Sequence, residues 1–143
     1  RLHEQKFGTM NYVEWRRVLE INTLSPMKVA EAFVEQVAAS ERKLMVFVSS
    51  TTGSNVEGLY ATFAYCSSKA ALNKVVTMLA IALKPRGIVC AAVCPGYVRT
   101  RLGGDQAVLG VAESITGLRQ VIGGLTLART GSFTRYNGET IAW

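Results

Sequence analysis

The stretch Leu44–Ser50, LMVFVSS, indicates the fold of this 143-residue chain. Its five consecutive apolar residues, followed by two hydroxyl residues and Gly53, are typical of a buried parallel strand that runs into a loop. In open α/β sheets, ligands bind beyond the carboxyl ends of the strands. The hydroxyl of Ser50 is therefore placed where it can hydrogen-bond a ligand oxygen, although a serine that only caps the strand end gives the same pattern.

Helical and strand-like segments alternate on both sides of this stretch. The pattern predicts helices over about 11–39, 62–83 and 112–127, and strands over about 44–50, 88–94 and 133–136. We expect Pro26 to kink the first helix, Pro85-Arg86-Gly87 to end the second, and Asn137-Gly138 to form a turn after the last strand. This alternation implies an α/β fold, here a partial, Rossmann-like, doubly wound parallel sheet of about three strands.

A phenol and an ammonium stand four residues apart in Tyr65-Cys66-Ser67-Ser68-Lys69. On a helix, positions i and i+4 share a face, so the two side chains can meet over one substrate. A free phenol titrates near ~10, and a cation about 4 Å away in a partly buried site lowers that pKa toward neutrality. We therefore expect Lys69 to lower the pKa of Tyr65 and the pair to act as a general acid/base unit. The alternative is a surface tyrosine beside a solvated lysine.

Pro26 lies inside the first predicted helix and has no N–H group. The carbonyl of Asn22, four residues earlier, therefore loses its helical donor. A kinked helix with that carbonyl free can hold a water molecule or a lysine ammonium. Equally, the helix can end near Ser25 and restart with Pro26 at its first position.

Taken together, these residues resemble the catalytic, C-terminal part of the short-chain dehydrogenase/reductase family. In that family an Asn, a Ser, a Tyr and a Lys form the active site. The residues that match these positions are Asn22, Ser50, Tyr65 and Lys69. The segment Cys94–Thr100, CPGYVRT, matches the family's Pro-Gly stretch beside the nicotinamide. The resemblance thus assigns cofactor contacts to Tyr65, Lys69, Pro95, Gly96, Val98 and Thr100.

The tail Gly131–Trp143 resembles the subgroup of sniffer-type carbonyl reductases and C-factor-like proteins. Ser50 lies fifteen residues before Tyr65, which is longer than the usual family gap. The sniffer-like subgroup carries a longer loop at this point, so we expect residues 53–64 to form that loop. Thr52 or Ser54 remain alternatives to Ser50 for the hydroxyl role.

The resemblance implies an NAD(P)-dependent oxidoreductase of the carbonyl reductase or alcohol dehydrogenase type. Tyr65 would exchange a proton with the substrate oxygen, Ser50 would orient that oxygen, and Lys69 would hold the ribose hydroxyls. The Asn22 carbonyl would hold a proton-relay water, and Thr100 would fix the nicotinamide amide. The partners implied are a small carbonyl or alcohol substrate and a second copy of the chain, in a homodimer or homotetramer.

Two other functions stay open. One is a non-catalytic, C-factor-like signalling or interaction protein. The other is an epimerase or dehydratase that uses the same Tyr-Lys pair, although such enzymes carry a larger region after the Pro-Gly stretch than this chain has.

The chain opens without a Gly-x-x-x-Gly-x-Gly or Gly-x-Gly-x-x-Gly motif. Arg1 leads directly into a pattern that the family places after its fourth strand. We therefore expect residues 1–143 to be a single C-terminal fragment of a short-chain dehydrogenase domain that lacks the N-terminal dinucleotide-binding half. NAD or NADP would then bind the full-length parent, and the residues that choose between them would lie in the other half.

The 16 basic and 10 acidic residues give a net charge of +6. The cations are spread among acids and do not interleave with aromatic residues, so the pattern does not favour nucleic-acid binding. Tyr97–Val111 is rich in glycine and predicts a lid over the substrate, with a plain surface loop as the alternative. Within it, Arg99 and Arg101 are either anion contacts or solvated loop charges.

The composition and the cysteines predict how the chain associates and where it is located. Hydrophobic residues make up 49% of the chain, which suggests a sheet edge left open and a tendency to associate. The longest apolar run, Val75–Leu83, is too short to span a bilayer, and the first residues do not resemble a signal peptide. The three cysteines, Cys66, Cys90 and Cys94, have no metal-site spacing and are expected to be reduced thiols in a cytoplasmic protein.

Overall fold

The computed structural model describes residues 5–57 and 62–143. Its helices are α1 (Tyr12–Leu19), α2 (Ser25–Ala39), α3 (Phe63–Leu83) and α4 (Val111–Gly123), and its strands are β1 (Leu44–Val48), β2 (Val89–Cys94) and β3 (Phe133–Arg135). A π-helical turn, Glu20–Leu24, joins α1 to α2, and a 3-10 turn, Thr51–Gly53, follows β1. The predicted alternation of helices and strands is confirmed. The largest differences are that β1 ends before the two serines and that α4 ends at the Gly123-Gly124 pair.

The three strands form one parallel sheet in the order β1-β2-β3. Val46 is paired with Ala91, and Ala92 with Phe133. Because the strands are parallel, their carboxyl ends meet at one edge, where Ser49 and Pro95 begin the following loops. The predicted α/β, Rossmann-like fold class is confirmed.

The central strand β2 is buried along its whole length. Its residues alternate between two clusters: Cys90, Ala92 and Cys94 join the core formed with α2 and α3, while Val89 and Ala91 join a smaller cluster around Leu125. A strand buried on both faces needs apolar residues at every position, which explains its continuous apolar run.

Helix α3 forms most of the opposing wall of the main core. Leu72, Val76 and Ala80 are at most 4% exposed and pack with the sheet residues. Burying each Leu or Val side chain contributes about 1.5–3 kcal/mol. By length and composition alone, Phe63–Arg86 is long and apolar enough to cross a membrane, whereas the sequence expectation considered only its uninterrupted apolar run, Val75–Leu83. Core helices pass the same test, which makes this weak support for a membrane span.

The helix that carries Asn22 passes through Pro26 without stopping. In the π-helical turn, the N–H of Ser25 donates to the carbonyl of Glu20, five residues earlier. Pro26 stands in the first turn of α2, where its missing N–H costs least. The structure therefore combines the two alternatives: the helical backbone is continuous, and the proline still occupies an N-terminal helical position.

The outer edge of β1 has no neighbouring strand among residues 5–57 and 62–143, since β1 pairs only with β2 there. A groove with a cavity volume of about 540 Å³ runs between this edge and the wall formed by the π-helical turn and α2. Among the residues that line it, Val29, Phe33 and Val48 are each more than half exposed. An unpaired strand edge beside exposed apolar side chains favours association with another chain.

We expect the chain by itself to form oligomers or aggregates, and Phe33→Lys to reduce their mass by placing a charge in the groove. Analytical ultracentrifugation over a concentration series measures this effect. Val108→Lys, at a residue that is 81% exposed in a loop outside the groove, is the matched control and should leave the distribution unchanged. A monodisperse monomer that melts cooperatively would contradict the prediction.

A second prediction concerns Cys90, which is fully buried in β2. Burial raises the pKa of this thiol from 9.0 to about 11. Between these values only the unfolded thiol ionises, so the free energy of unfolding is unaffected below pH 9 and falls as the pH rises toward 11. We expect a loss of about 2–3 kcal/mol across this window. Denaturant unfolding at several pH values should show that Cys90→Ala removes this part of the slope, whereas Cys66→Ala retains it.

Candidate active site

The first turns of α3 carry the Tyr-Lys pair. Thr62 caps the helix by accepting a hydrogen bond from the N–H of Tyr65, at 3.3 Å. Lys69 lies one turn further on, with its Nζ over the Tyr65 ring at 5.7 Å from the ring centroid. The same Nζ donates to the carbonyl of Val48, at the end of β1, at 2.9 Å. The predicted meeting of Tyr65 and Lys69 on one helix face is confirmed.

Ser50 reaches the phenol from the turn after β1. It caps the 3-10 turn Thr51–Gly53, and its side chain hydrogen-bonds Tyr65. The other two candidate hydroxyls are engaged elsewhere: Thr52 donates to Ser50 Oγ at 3.0 Å, and Ser54 is buried and accepts from the backbone N–H groups of residues 56 and 57. Of the three hydroxyls, Ser50 is the one that the structure brings to Tyr65.

Burial governs the electrostatics of the pair. It raises the pKa of Tyr65, the hydrogen bond from Ser50 acts in the opposite direction, and the nearby Cys94 and Cys66 add a smaller upward effect. Burial likewise lowers the pKa of Lys69. The prediction that Lys69 lowers the pKa of Tyr65 is therefore wrong for this arrangement, because desolvation of the phenol outweighs the other effects and the ammonium is bonded to a backbone carbonyl.

Asn22 lies in the π-helical turn and is tied to the same helix. Its Nδ2 donates to Ser68 Oγ at 3.0 Å, and Ser68 Oγ donates to the carbonyl of Tyr65 at 2.7 Å. Thr23 adds a hydrogen bond to the carbonyl of Ser68. Asn22 and Lys69 line the same groove, but the lysine ammonium is bonded to β1 and not to the Asn22 carbonyl. The side chain of Asn22 thus joins the π-helical turn to the backbone of the Tyr-Lys segment.

The Pro-Gly segment follows β2 at the same edge of the sheet. Cys94 Sγ accepts a hydrogen bond from the N–H of Thr51 at 3.3 Å, which places the start of this segment beside the Ser50 turn. The Pro95 carbonyl accepts a hydrogen bond from Ser114 in α4. Gly96 has a φ of +83°, and a Cβ there would lie 2.8 Å from a methyl of Leu109. This turn therefore requires glycine.

The rest of this segment forms a compact loop. A bridge between Val98 and Leu109 closes its base. Thr100 is exposed, and its hydroxyl accepts from the N–H of Gly103 at 3.2 Å, inside the loop's own turn. Arg99 donates to the carbonyl of Val108, so this guanidinium supports the loop. The structure thus brings Asn22, Ser50, Tyr65 and Lys69 into one connected region and places Pro95 and Gly96 next to it.

Three polar residues with hydrogen bonds around the site were not predicted from the sequence: Thr62, Ser68 and Asn73. Thr62 stands directly before the predicted helix and carries the N-cap signal, so its role was open to detection. Ser68 and Asn73 are polar residues inside an otherwise apolar helix, and both are at most 4% exposed. A buried polar side chain needs a partner, which is a signal in principle, but only the tertiary structure identifies that partner.

Comparison with known proteins agrees with this geometry. The family model described as short chain dehydrogenase matches residues 2–107 of the chain. The chain belongs to the short-chain dehydrogenase family. Among its relatives is C-signal of Myxococcus xanthus, which is 34% identical to this chain over 139 residues. The alignment covers 95% of this chain and 82% of C-signal. The predicted family and its sniffer-like and C-factor-like affinity are confirmed.

Solved structures extend the likeness to carbonyl reductases. Carbonyl reductase Sniffer of D. melanogaster superposes with a TM-score of 0.90 at 29% identity, covering 96% of this chain and 60% of Sniffer. The NADPH-bound carbonyl reductase from chicken fatty liver superposes with a TM-score of 0.90 at 28% identity, covering 98% of this chain and 61% of that chain. The chain therefore spans about three fifths of the length of these two structures.

The contact between Gly53 and α3 generates a prediction about stability. A Cβ at Gly53 would lie 2.7 Å from the backbone carbon of Lys69, so Gly53→Ala should push the Ser50 turn away from α3. We expect a loss of about 1–3 kcal/mol in the free energy of unfolding, measured by denaturant titration. Gly123→Ala is the control: nothing lies within 4 Å of its Cβ position, and it should be neutral or stabilising. Equal stability of the two variants would contradict the prediction.

Proposed function

We propose that this chain is the catalytic part of an NAD(P)-dependent oxidoreductase that acts on a small carbonyl or alcohol substrate. The observation that carries the proposal is the half-buried phenol of Tyr65, with the Ser50 side chain hydrogen-bonded to it and Lys69 over its ring. These groups lie where parallel strands end, which is where α/β proteins bind their ligands. The solved carbonyl reductases with the same fold support this function.

The residues present fit a nicotinamide cofactor. Lys69 supplies an ammonium donor, and the backbone after the Pro95-Gly96 turn emerges at the same edge of the sheet. Tyr65 and Lys69 would hold the ribose hydroxyls, and Val98 and Thr100 with the Pro-Gly turn would hold the nicotinamide amide. The cofactor supplies the hydride, and the protein supplies orientation and proton transfer. Either NAD or NADP satisfies this set of residues.

Tyr65 is the proposed proton donor in carbonyl reduction. Burial raises the pKa of its phenol, so Tyr65 stays protonated at neutral pH and can donate a proton to a carbonyl oxygen during reduction. Ser50 donates a hydrogen bond toward the same position and orients the substrate oxygen. The backbone carbonyl of Asn22, on the groove shared with Lys69, would hold the water that returns the proton.

Two further properties belong to the proposal. Exposed apolar residues on α1 and α3, namely Tyr12, Val13, Met78 and Ile81, support a homodimer or homotetramer formed through these helices. The free thiols Cys66, Cys90 and Cys94 support a reducing, cytoplasmic location.

The activity is tested in a chimera in which the N-terminal segment of the chicken carbonyl reductase precedes residue 1. Nicotinamide absorbance is followed with a panel of aldehydes and ketones. We expect turnover to fall by about 10²–10⁴-fold in Tyr65→Phe, because the phenolic proton is lost, while cofactor affinity changes little. Tyr12→Phe, which removes the same hydroxyl from a tyrosine that is 62% exposed on α1, is the matched control and should keep full activity. Unchanged turnover in Tyr65→Phe would overturn the catalytic assignment.

A second candidate function is a non-catalytic signalling or interaction protein. The observation that favours it is that the chain covers 82% of C-signal but only about 60% of the carbonyl reductases. Calorimetric titration of NADH and NADPH into the chimera and into the chain alone distinguishes the two candidate functions. Absence of NADH and NADPH binding by calorimetry in both would favour the second candidate.

A further inference from the structure

Asn73 is a buried amide that the proposed mechanism does not use. It lies on α3 one turn beyond Lys69, and its side chain is among the core residues, 4% exposed. Its Oδ1 accepts a hydrogen bond from Ser49 Oγ at 2.5 Å, and its Nδ2 donates to the carbonyl of Gly53 at 3.2 Å. Asn is a poor helix former, so a buried Asn in the middle of an apolar helix needs an explanation beyond local structure.

The two partners of Asn73 are the two ends of the turn that carries Ser50. Ser49 is also held by the sheet, since its N–H donates to the carbonyl of Val93 at 2.8 Å. Gly53 closes the turn by donating to the carbonyl of Ser50 at 2.9 Å. One side-chain amide therefore holds both flanks of a five-residue turn, 49–53, and leaves Ser50 between them.

Steric contact supports the same connection. The α-carbon of Gly53 lies so close to α3 that a Cβ would meet the backbone of Lys69 at 2.7 Å. The turn therefore touches α3 beside the lysine and is hydrogen-bonded to α3 one helical turn later. Both contacts fix the position of the 49–53 turn along α3, and therefore the position of Ser50 relative to Tyr65.

We propose that Asn73 is a positioning residue for the reaction: it holds the 49–53 turn against α3 so that Ser50 meets the phenol of Tyr65. This inference rests on the proposed function for its catalytic meaning, whereas the geometric role stands on the contacts alone. A neutral amide suits the place because it offers a donor and an acceptor at once. An aspartate would keep the acceptor for Ser49 but lose the donor to Gly53.

The catalytic test uses the chimera with Asn73→Ala, Ser49→Ala, Ser50→Ala and the Ser50→Ala/Asn73→Ala pair. We expect kcat to fall by about ten- to a hundred-fold in Asn73→Ala, with a smaller fall in Ser49→Ala, and KM for the cofactor to stay constant. In the Ser50→Ala background, removing Asn73 should cause no further loss of kcat, because Asn73 acts through Ser50. Thr77→Ala, which removes an exposed hydroxyl on the same helix, is the control for helix perturbation and should match the parent.

A second readout does not depend on catalysis. Tyrosine labelled with ¹³C at Cζ reports the ionisation of each phenol, and Tyr65→Phe assigns the signal of Tyr65. The groups that face this phenol among the described residues are Lys69 and Cys66 from α3, Cys94 from β2 and Ser50. In the chain carrying Phe33→Lys to reduce its association, Ser50→Ala and Asn73→Ala should each raise the midpoint of Tyr65, and the double variant should show no larger rise. Thr77→Ala should leave the midpoint unchanged.

The outcomes separate the two proposals. If the chimera lacks carbonyl reduction, the proposed function fails, and the phenol titration still decides the role of Asn73. If Asn73→Ala leaves both kcat and the Tyr65 midpoint at parental values, the positioning role is overturned. A loss of kcat that adds fully to that of Ser50→Ala also overturns it, because Asn73 would then act independently of Ser50. If Asn73→Ala fails to fold, Ser49→Ala removes one of the same two hydrogen bonds and is judged by the same criteria.

Discussion

The contact between the 49–53 turn and α3 is the constraint on which the candidate site depends. Tyr65 and Lys69 share one rigid helix, so their mutual placement follows from helical geometry. Ser50 belongs to a different element, and the close approach of Gly53 to Lys69 and the hydrogen bonds of Asn73 join that element to the helix. The same contact fixes the end of β1, whose Val48 carbonyl holds the lysine ammonium.

Desolvation decides the charge state of this site. A charge-pair argument from the sequence favours a lowered pKa for Tyr65, but the structure buries the phenol and turns the ammonium toward a backbone carbonyl. Burial disfavours both the phenolate and the ammonium, so it raises the pKa of Tyr65 and lowers that of Lys69. The resulting pair suits proton donation by a neutral phenol, the role expected in the reduction of a carbonyl.

The candidate site and the open edge of the sheet are neighbours. Asn22, Val48 and Lys69 line the groove beside β1, and the π-helical turn that forms one wall is hydrogen-bonded to Ser68 in the Tyr-Lys segment. Anything that packs into this groove therefore contacts the elements that hold Tyr65 and Lys69. The groove beside β1 and the candidate site at its carboxyl end are therefore built from the same elements.

The sequence by itself determined the order and type of the elements and four positions of the candidate site. Continuous apolar runs, proline and glycine act within one or two turns of the chain, so Tyr12–Ala39, Phe63–Leu83 and all three strands were predictable from local pattern. Only the tertiary structure decided the partners of Asn73, which lie 20 and 24 residues away in the chain, and the direction of the Tyr65 pKa shift. Both depend on how deeply separate elements bury one another, and burial is a property of the packed molecule that no short stretch of sequence contains.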